Sequence, residues 1–191
     1  SRIDRKSIWR RPSCSRLLLV FLAMFLAQAC GSVFNITYNL PHLSPLLSDR
    51  QEEHLEKAIL LYNLIAYPIL VIAWGFSVFR VCRPIRGAED HLRLQRIVIN
   101  LPLRASLIAA AGWIFCFPAL LLGLMSSGEK LNPHIYFHLP VSLGIAMVIA
   151  LTIGYFSIDA LRQRLLFPYF FLDKSPSRIE GAFKLSIPSR G

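Results

Sequence analysis

The chain has 191 residues, 54% of them hydrophobic, and carries a formal net charge of +10 at pH 7. A mean hydropathy of +0.50 beside a pI near 10.0 excludes an ordinary soluble domain, which seldom combines the two, and requires charge and apolarity to be segregated along the chain. They are: the cations fall between apolar runs of about twenty residues, the length that crosses a hydrocarbon core of about 30 Å as a helix.

Four such runs are read at 17–34, 58–81, 102–125 and 138–158. They predict an all-α, polytopic integral membrane protein with four transmembrane helices. Residues 1–16 form a basic flank, 17–158 the transmembrane domain, and 159–191 an interfacial tail or linker.

The first run follows Arg2, Arg5, Lys6, Arg10, Arg11 and Arg16. A basic start and an apolar stretch also describe a secretory signal, and Ala27-Gln28-Ala29 supplies an A-x-A cleavage site that would remove residues 1–29. The run at 17–34 is longer than the usual signal core of about 7 to 15 residues, which favours an uncleaved helix. Cys30 after that tripeptide also has the placing of a lipoprotein acceptor, for which Gln28 is a poor neighbour.

Residues 41–57 hold Pro41, Pro45 and a cluster of acids, with Ser48 placed to cap a short amphipathic helix ahead of Glu52 and Glu53. This reads as an external loop. The second run contains Tyr62, Asn63, Tyr67 and Pro68, and a kink is expected near Pro68. Asn63 is its one carboxamide, expected to face another helix and hydrogen-bond across to it, with a ligand contact as the alternative.

Between the second and third runs lie Arg80, Arg83, Arg86, Arg93, Arg96 and Arg104 against Glu89 and Asp90. A loop that basic is retained in the cytoplasm. Pro102 suits the first turn of the third run, and Gly128, Glu129, Lys130, Asn132 and Pro133 make a short external hairpin before the fourth. On this threading all of the 21 Lys and Arg residues except Arg50, Lys57 and Lys130 lie on one side. Both termini are therefore expected in the cytoplasm (N-in/C-in), in a multi-pass protein of the plasma (inner) membrane. The cations explain the pI through anionic lipid at the cytoplasmic face, at about 1 kcal/mol per juxtamembrane cation. Split among three membrane-proximal segments, they argue against nucleic acid as a partner.

Small residues recur every four positions at Ser142, Ala146, Ala150 and Gly154 in the fourth run and at Ala23, Ala27 and Gly31 in the first. Such stripes let backbones approach closely in lipid and predict a compact bundle. Packing within one chain is favoured, with a homodimer as the alternative.

For chemistry the sequence offers little. His134 and His138 are one helical turn apart and share the outer side with His42 and His54, a weak metal candidate bracketed by Pro133 and Pro140. Cys14, Cys30, Cys82 and Cys116 have no C-x-x-C spacing. No catalytic or cofactor-binding motif occurs, so no cofactor is expected, and no charged residue lies in the middle of a run, which counts against transport. A small transporter or channel subunit would have to build its polar path from Asn63, Ser142, Thr152 and Tyr155. After the fourth run, residues 159–172 mix Arg162 and Arg164 with Phe167, Tyr169, Phe170 and Phe171, the makeup of a helix lying at the membrane surface with snorkelling arginines.

The series Asn100-Leu101-Pro102, Gly112-Trp113, Phe117-Pro118, His138, Ser142, Leu161-Arg162 and Leu166-Phe167-Pro168 resembles the N-terminal membrane module of bacterial class III adenylate or guanylate cyclases and related multi-span signalling proteins. The resemblance implies a six-span sensor or anchor joined, through a linker such as a HAMP unit, to a catalytic domain. Four runs in place of six imply a piece of a longer chain. The family's catalytic residues belong to a domain with no counterpart in these residues, so none is carried over. The expected role is a sensory or anchoring module of a signal-transduction protein.

Overall fold

The computed structural model describes residues 12–85 and 87–171, except for the side chain of Ala88. Among the described residues all regular structure is helical. Helix α1 (Cys14–Phe34) continues through a π-helical stretch (Asn35–Asn39) into α2 (Leu40–Leu43); α3 (Asp49–Phe79), α4 (Ala88–Ile99), α5 (Leu101–Met125), α6 (Ile135–Leu165) and α7 (Phe167–Phe170) follow. Four helical segments, Cys14–Leu46, Asp49–Cys82, Leu101–Met125 and Ile135–Leu165, are long and apolar enough to cross a membrane. Arg2, Arg5, Lys6, Arg10, Arg11, Arg86, Lys174, Arg178, Lys184 and Arg190, with the rest of the basic start and the polar end of the tail, lie outside the described residues.

Three of these four long apolar segments outlast the apolar runs that announced them, because a helix ends at a cap or a turn and not where hydrophobicity fades. The stretch expected as a loop at 41–57 is mostly helical: the first helix runs on to Leu46, and α3 begins at Asp49. Ser48 is the N-cap of α3, with its hydroxyl accepting from Gln51 N at 3.2 Å while Gln51 Oε1 accepts from Ser48 N at 3.1 Å, a reciprocal capping box. The cap expected at Ser48 therefore starts the second long helix itself and not a separate short one. At the far end of α5 the chain turns at Gly128, whose φ of 76° suits only a residue without Cβ. α6 then begins at Ile135, takes Pro140 inside its first turns, and continues past Ile158 to Leu165. Its 31 residues extend about 46 Å at 1.5 Å per residue, longer than a hydrocarbon core of about 30 Å.

The tail is corrected in the same way. Residues 159–165 are the last turns of α6, and only Phe167–Phe170 form a separate helix.

Around the bundle the order is α1, α6, α5, α3, with extensive packing at each of those three contacts and a slighter one between α3 and α1. Small residues set the first contact. On α1, Ala27 and Gly31 are buried; on α6, Ala146, Ala150 and Gly154 are buried. A methyl built on Gly31 would lie 2.9 Å from both Ala146 O and Ala150 Cβ, and one on Gly154 would lie 3.4 Å from Ala27 Cβ. Ala23 is half-buried against the core, and Ser142 is half-buried with its hydroxyl turned back to His138 O at 2.6 Å. The α3–α5 contact closes tightly at Gly123, where an added methyl would collide with Ala58 Cβ.

Two apolar cores result, one at each end. The end that carries α4 and α7, called the basic end below, holds Leu17, Val20, Met24, Trp74, Val78, Leu101 and Ile158 among others. The opposite end holds Leu43, Leu55, Leu120, Leu124, Leu131, Ile135 and Leu139.

Candidate functional site

Between those cores the bundle is incomplete along one side. The buried residues of α3 are Gln51, Leu55, Trp74, Ser77 and Val78, so nothing between Leu55 and Trp74 is buried. Towards the basic end α3 touches α1: Trp74 Nε1 donates to Phe21 O at 3.1 Å, and the Phe21 and Phe79 rings lie 5.9 Å apart. Towards the opposite end α3 is pinned through Gln51 Nε2 to Lys130 O at 3.3 Å, through His54 Nδ1 to Ser126 Oγ at 2.8 Å, and through the Ser48 hydroxyl to the Glu129 carboxylate. Between these ties α3 stands off from α1, and a cleft of about 140 Å³ lies between them with α5 behind it.

The α3 residues that line it are Ile59, Tyr62, Asn63, Ala66, Tyr67 and Leu70, an i, i+3, i+4, i+7 stripe on one face of the helix. The other faces carry Leu60, Leu61, Leu64, Ile65, Ile69 and Ile72, all exposed. The polar side chains in the middle of this helix are thus gathered on the cleft face. Asn63 is exposed there and hydrogen-bonds to no described residue, so the cross-helix bond expected of it is not made. Its neighbour bonds instead: the Tyr62 hydroxyl donates to Gly112 O of α5.

From α1 the cleft receives Gln28 and Ser32, then Asn35 and Ile36 from the π-helical stretch. Gln28 is 7% exposed, and its Oε1 accepts from Trp113 Nε1 of α5 at 2.8 Å, joining two helices that are not neighbours in the ring. In the π-helical stretch Asn39 Nδ2 donates to Asn35 Oδ1 and Thr37 Oγ1 to Val33 O. Asn39 Oδ1 is buried with no hydrogen-bond partner among the described residues. Such a wide turn within a helix is rare and is frequent at functional sites. The back wall is Ala109, Gly112, Trp113, Cys116 and Leu120 of α5. Among the described residues that line the cleft there is no Asp, Glu, Lys, Arg or His.

At the basic end a second arrangement centres on Arg162. Expected to snorkel at a membrane surface, its side chain is instead only 13% exposed. Nε donates to Asp159 Oδ1 at 2.7 Å, Nη1 donates to the Ile99 and Val98 carbonyls, and the guanidinium lies 5.3 Å from the Phe167 ring centroid. Those carbonyls close α4, where a helix leaves its last C=O groups unpaired and its dipole favours a cation. Gln95 Nε2 of α4 donates to Phe170 O, the His91 and Phe170 rings stack at 6.1 Å, and Arg16 of α1 lies 5.0 Å from the Tyr169 ring centroid. Arg162 therefore fastens α6 to α4 and α7.

The other candidates are dispersed. His134 precedes α6 and His138 lies in its first turn, both exposed, with ring centroids 6.3 Å apart. His42 Nδ1 pairs with Tyr38 O and His54 with Ser126, and among the described residues no group of three His, Cys, Asp or Glu is placed to hold a metal ion. Ser142, Thr152 and Tyr155 are on α6 and are not among the residues that line the cleft with Asn63. Compared with protein-family models, curated proteins and solved structures, the chain matches none.

Sequence reasoning missed Gln28, Tyr62 and Trp113 as the bonding groups. Gln28 was read as part of a cleavage site, although a lone carboxamide in an apolar run carries the same signal that singled out Asn63. The stripe from Ile59 to Leu70 was legible at helical spacing and would have pointed to the cleft face.

Proposed function

We propose that this chain is the membrane-embedded sensory and anchoring module of a signal-transduction protein, of the kind its resemblance to class III nucleotide cyclases implies. The observation that carries the reading is the Arg162 clamp, which ties α6 to α4 and α7 at the basic end. α6 packs along α1 and α5, two walls of the cleft. A change in how α1 stands against α3 is thereby delivered through α6 to α4 and α7. Coupling of this kind needs two packings with different affinity for the stimulus.

In this reading the chain sits in a plasma (inner) membrane with its basic end in the cytoplasm, an orientation supported by the positive-inside rule, and Arg83, Arg93 and Arg96 lie near anionic headgroups. The α1 and α6 stripes are used within one chain, so a homodimer would use another surface.

The test is a fusion of the whole chain to a class III cyclase catalytic domain, assayed in membranes. Cyclase activity is expected to differ several-fold between the parent fusion and Arg162→Gln at equal membrane insertion. Equal activities would remove the coupling and leave anchorage alone. A stop codon directly after Gly191 in the gene would favour the small transporter or channel subunit.

A further inference from the structure

We propose that the cleft between α1 and α3 binds the head of an uncharged lipid bearing hydroxyl or carbonyl groups, a mono- or diacylglycerol in chemical class, which enters sideways from the bilayer. The inference rests on the membrane reading above and deepens it by naming the stimulus.

Four observations converge on that occupant. The cleft lies between α1 and α3, which touch at the basic end and stand apart along it, and α3 turns bare apolar faces outward on either side of it, so its mouth opens onto lipid tails. The described residues of its lining include no Asp, Glu, Lys, Arg or His. A charged head would enter without a counter-ion, at a desolvation cost that nothing in the cleft offsets. The polar groups it does hold are donors and acceptors: Asn63, whose carboxamide bonds to no described residue, Ser32, the Tyr67 hydroxyl and the amide nitrogen of Gln28, whose Oε1 is already committed to Trp113. In a hydrocarbon setting an uncommitted carboxamide gains from any hydroxyl or ester carbonyl that reaches it.

The size of the cleft fits the head of a lipid. A volume of about 140 Å³ is close to that of a cavity of about 150 Å³ that takes up one benzene-sized molecule. That suits a glycerol-sized head whose tail lies outside along Leu70 or Ile36, and a whole helix about 10 Å across does not enter it.

The experiment uses the full chain in phosphatidylcholine vesicles containing a monoacylglycerol with a diazirine in its acyl chain, irradiated and mapped by mass spectrometry. Adducts are expected on the cleft peptides around Ser32 and 63–70, at least fivefold above those on the exposed α6 residues Val148 and Phe156. Unlabelled monoacylglycerol should compete. Ala66→Trp, which fills the cleft, and Asn63→Leu, at an exposed position that packing does not need, should each return labelling to the α6 level. Equal labelling of cleft and α6, or labelling unchanged in Asn63→Leu, overturns the proposal. An acyl-diazirine phosphatidylglycerol that labels the cleft as strongly overturns the uncharged head, and disulfide-linked dimers through Ala66→Cys overturn a lipid occupant in favour of a second copy. Labelling requires no output domain, so loss of coupling in the cyclase fusion leaves this result standing and the reverse also holds.

Discussion

Gly31 of α1 lies directly against Ala150 of α6, so closely that a single methyl added to the glycine would come within 2.9 Å of the alanine Cβ. Lipid supplies no hydrophobic drive between helices, so this close approach is what holds α1 to α6. Ala150→Leu is expected to destabilise the bundle by roughly 1 to 3 kcal/mol, the usual overpacking range. Val148→Leu, at an exposed position two residues away, should change nothing measurable. Thermal unfolding in detergent compares the two; equal losses would mean that the stripe is not the contact surface.

The indole of Trp113 reaches Gln28 at 2.8 Å and bridges α5 to α1. Trp113→Phe and Gln28→Leu should each weaken the fold, and together they should cost less than their sum. A double-mutant cycle should give a coupling of about 0.6 to 2 kcal/mol, the range for hydrogen bonds between helices in membranes. Additive losses would show that the bond contributes nothing.

Arg162 satisfies the closing carbonyls of α4 while paired with Asp159. Arg162→Gln is expected to cost about 1.5 to 3 kcal/mol as charge-assisted hydrogen bonds are lost. Hydrogen exchange should quicken over α4 and α7 while the middle of α5 keeps its protection. Arg162→Lys should recover little, because a point charge cannot serve Asp159 and the α4 carbonyls together. Full protection of α4 in Arg162→Gln would show that the clamp is dispensable.

Threading is tested by a reporter active only in the cytoplasm. Fused after Arg83 it should be active, and after Arg50 or Glu129 silent. The inverse pattern would remove the argument from charge. The inserted protein should also retain residues 1–29, since they carry Ala27, which packs on α6, and most of α1, and their loss would strip α6 of a main neighbour. A mature chain beginning at Cys30 would mean that the first run is a signal.

Four helices long and apolar enough to cross a membrane were legible in the sequence because apolar run length is a local property that one residue at a time can carry. The cap at Ser48 and the proline in the first turn of α5 were legible for the same reason. The orientation is argued from charge alone. What the chain could not display in one dimension is which of four similar apolar cylinders stands beside which. That depends on complementarity between positions more than a hundred residues apart, as where Gly31 admits Ala146 and Ala150. Only this lateral order leaves the middle of α3 unburied, turns Asn63 into a cleft instead of against a neighbour, and brings Arg162 of α6 under the last turn of α4. Polarity in a span says that a side chain needs a partner; the tertiary structure decides whether the protein supplies one or leaves the place open.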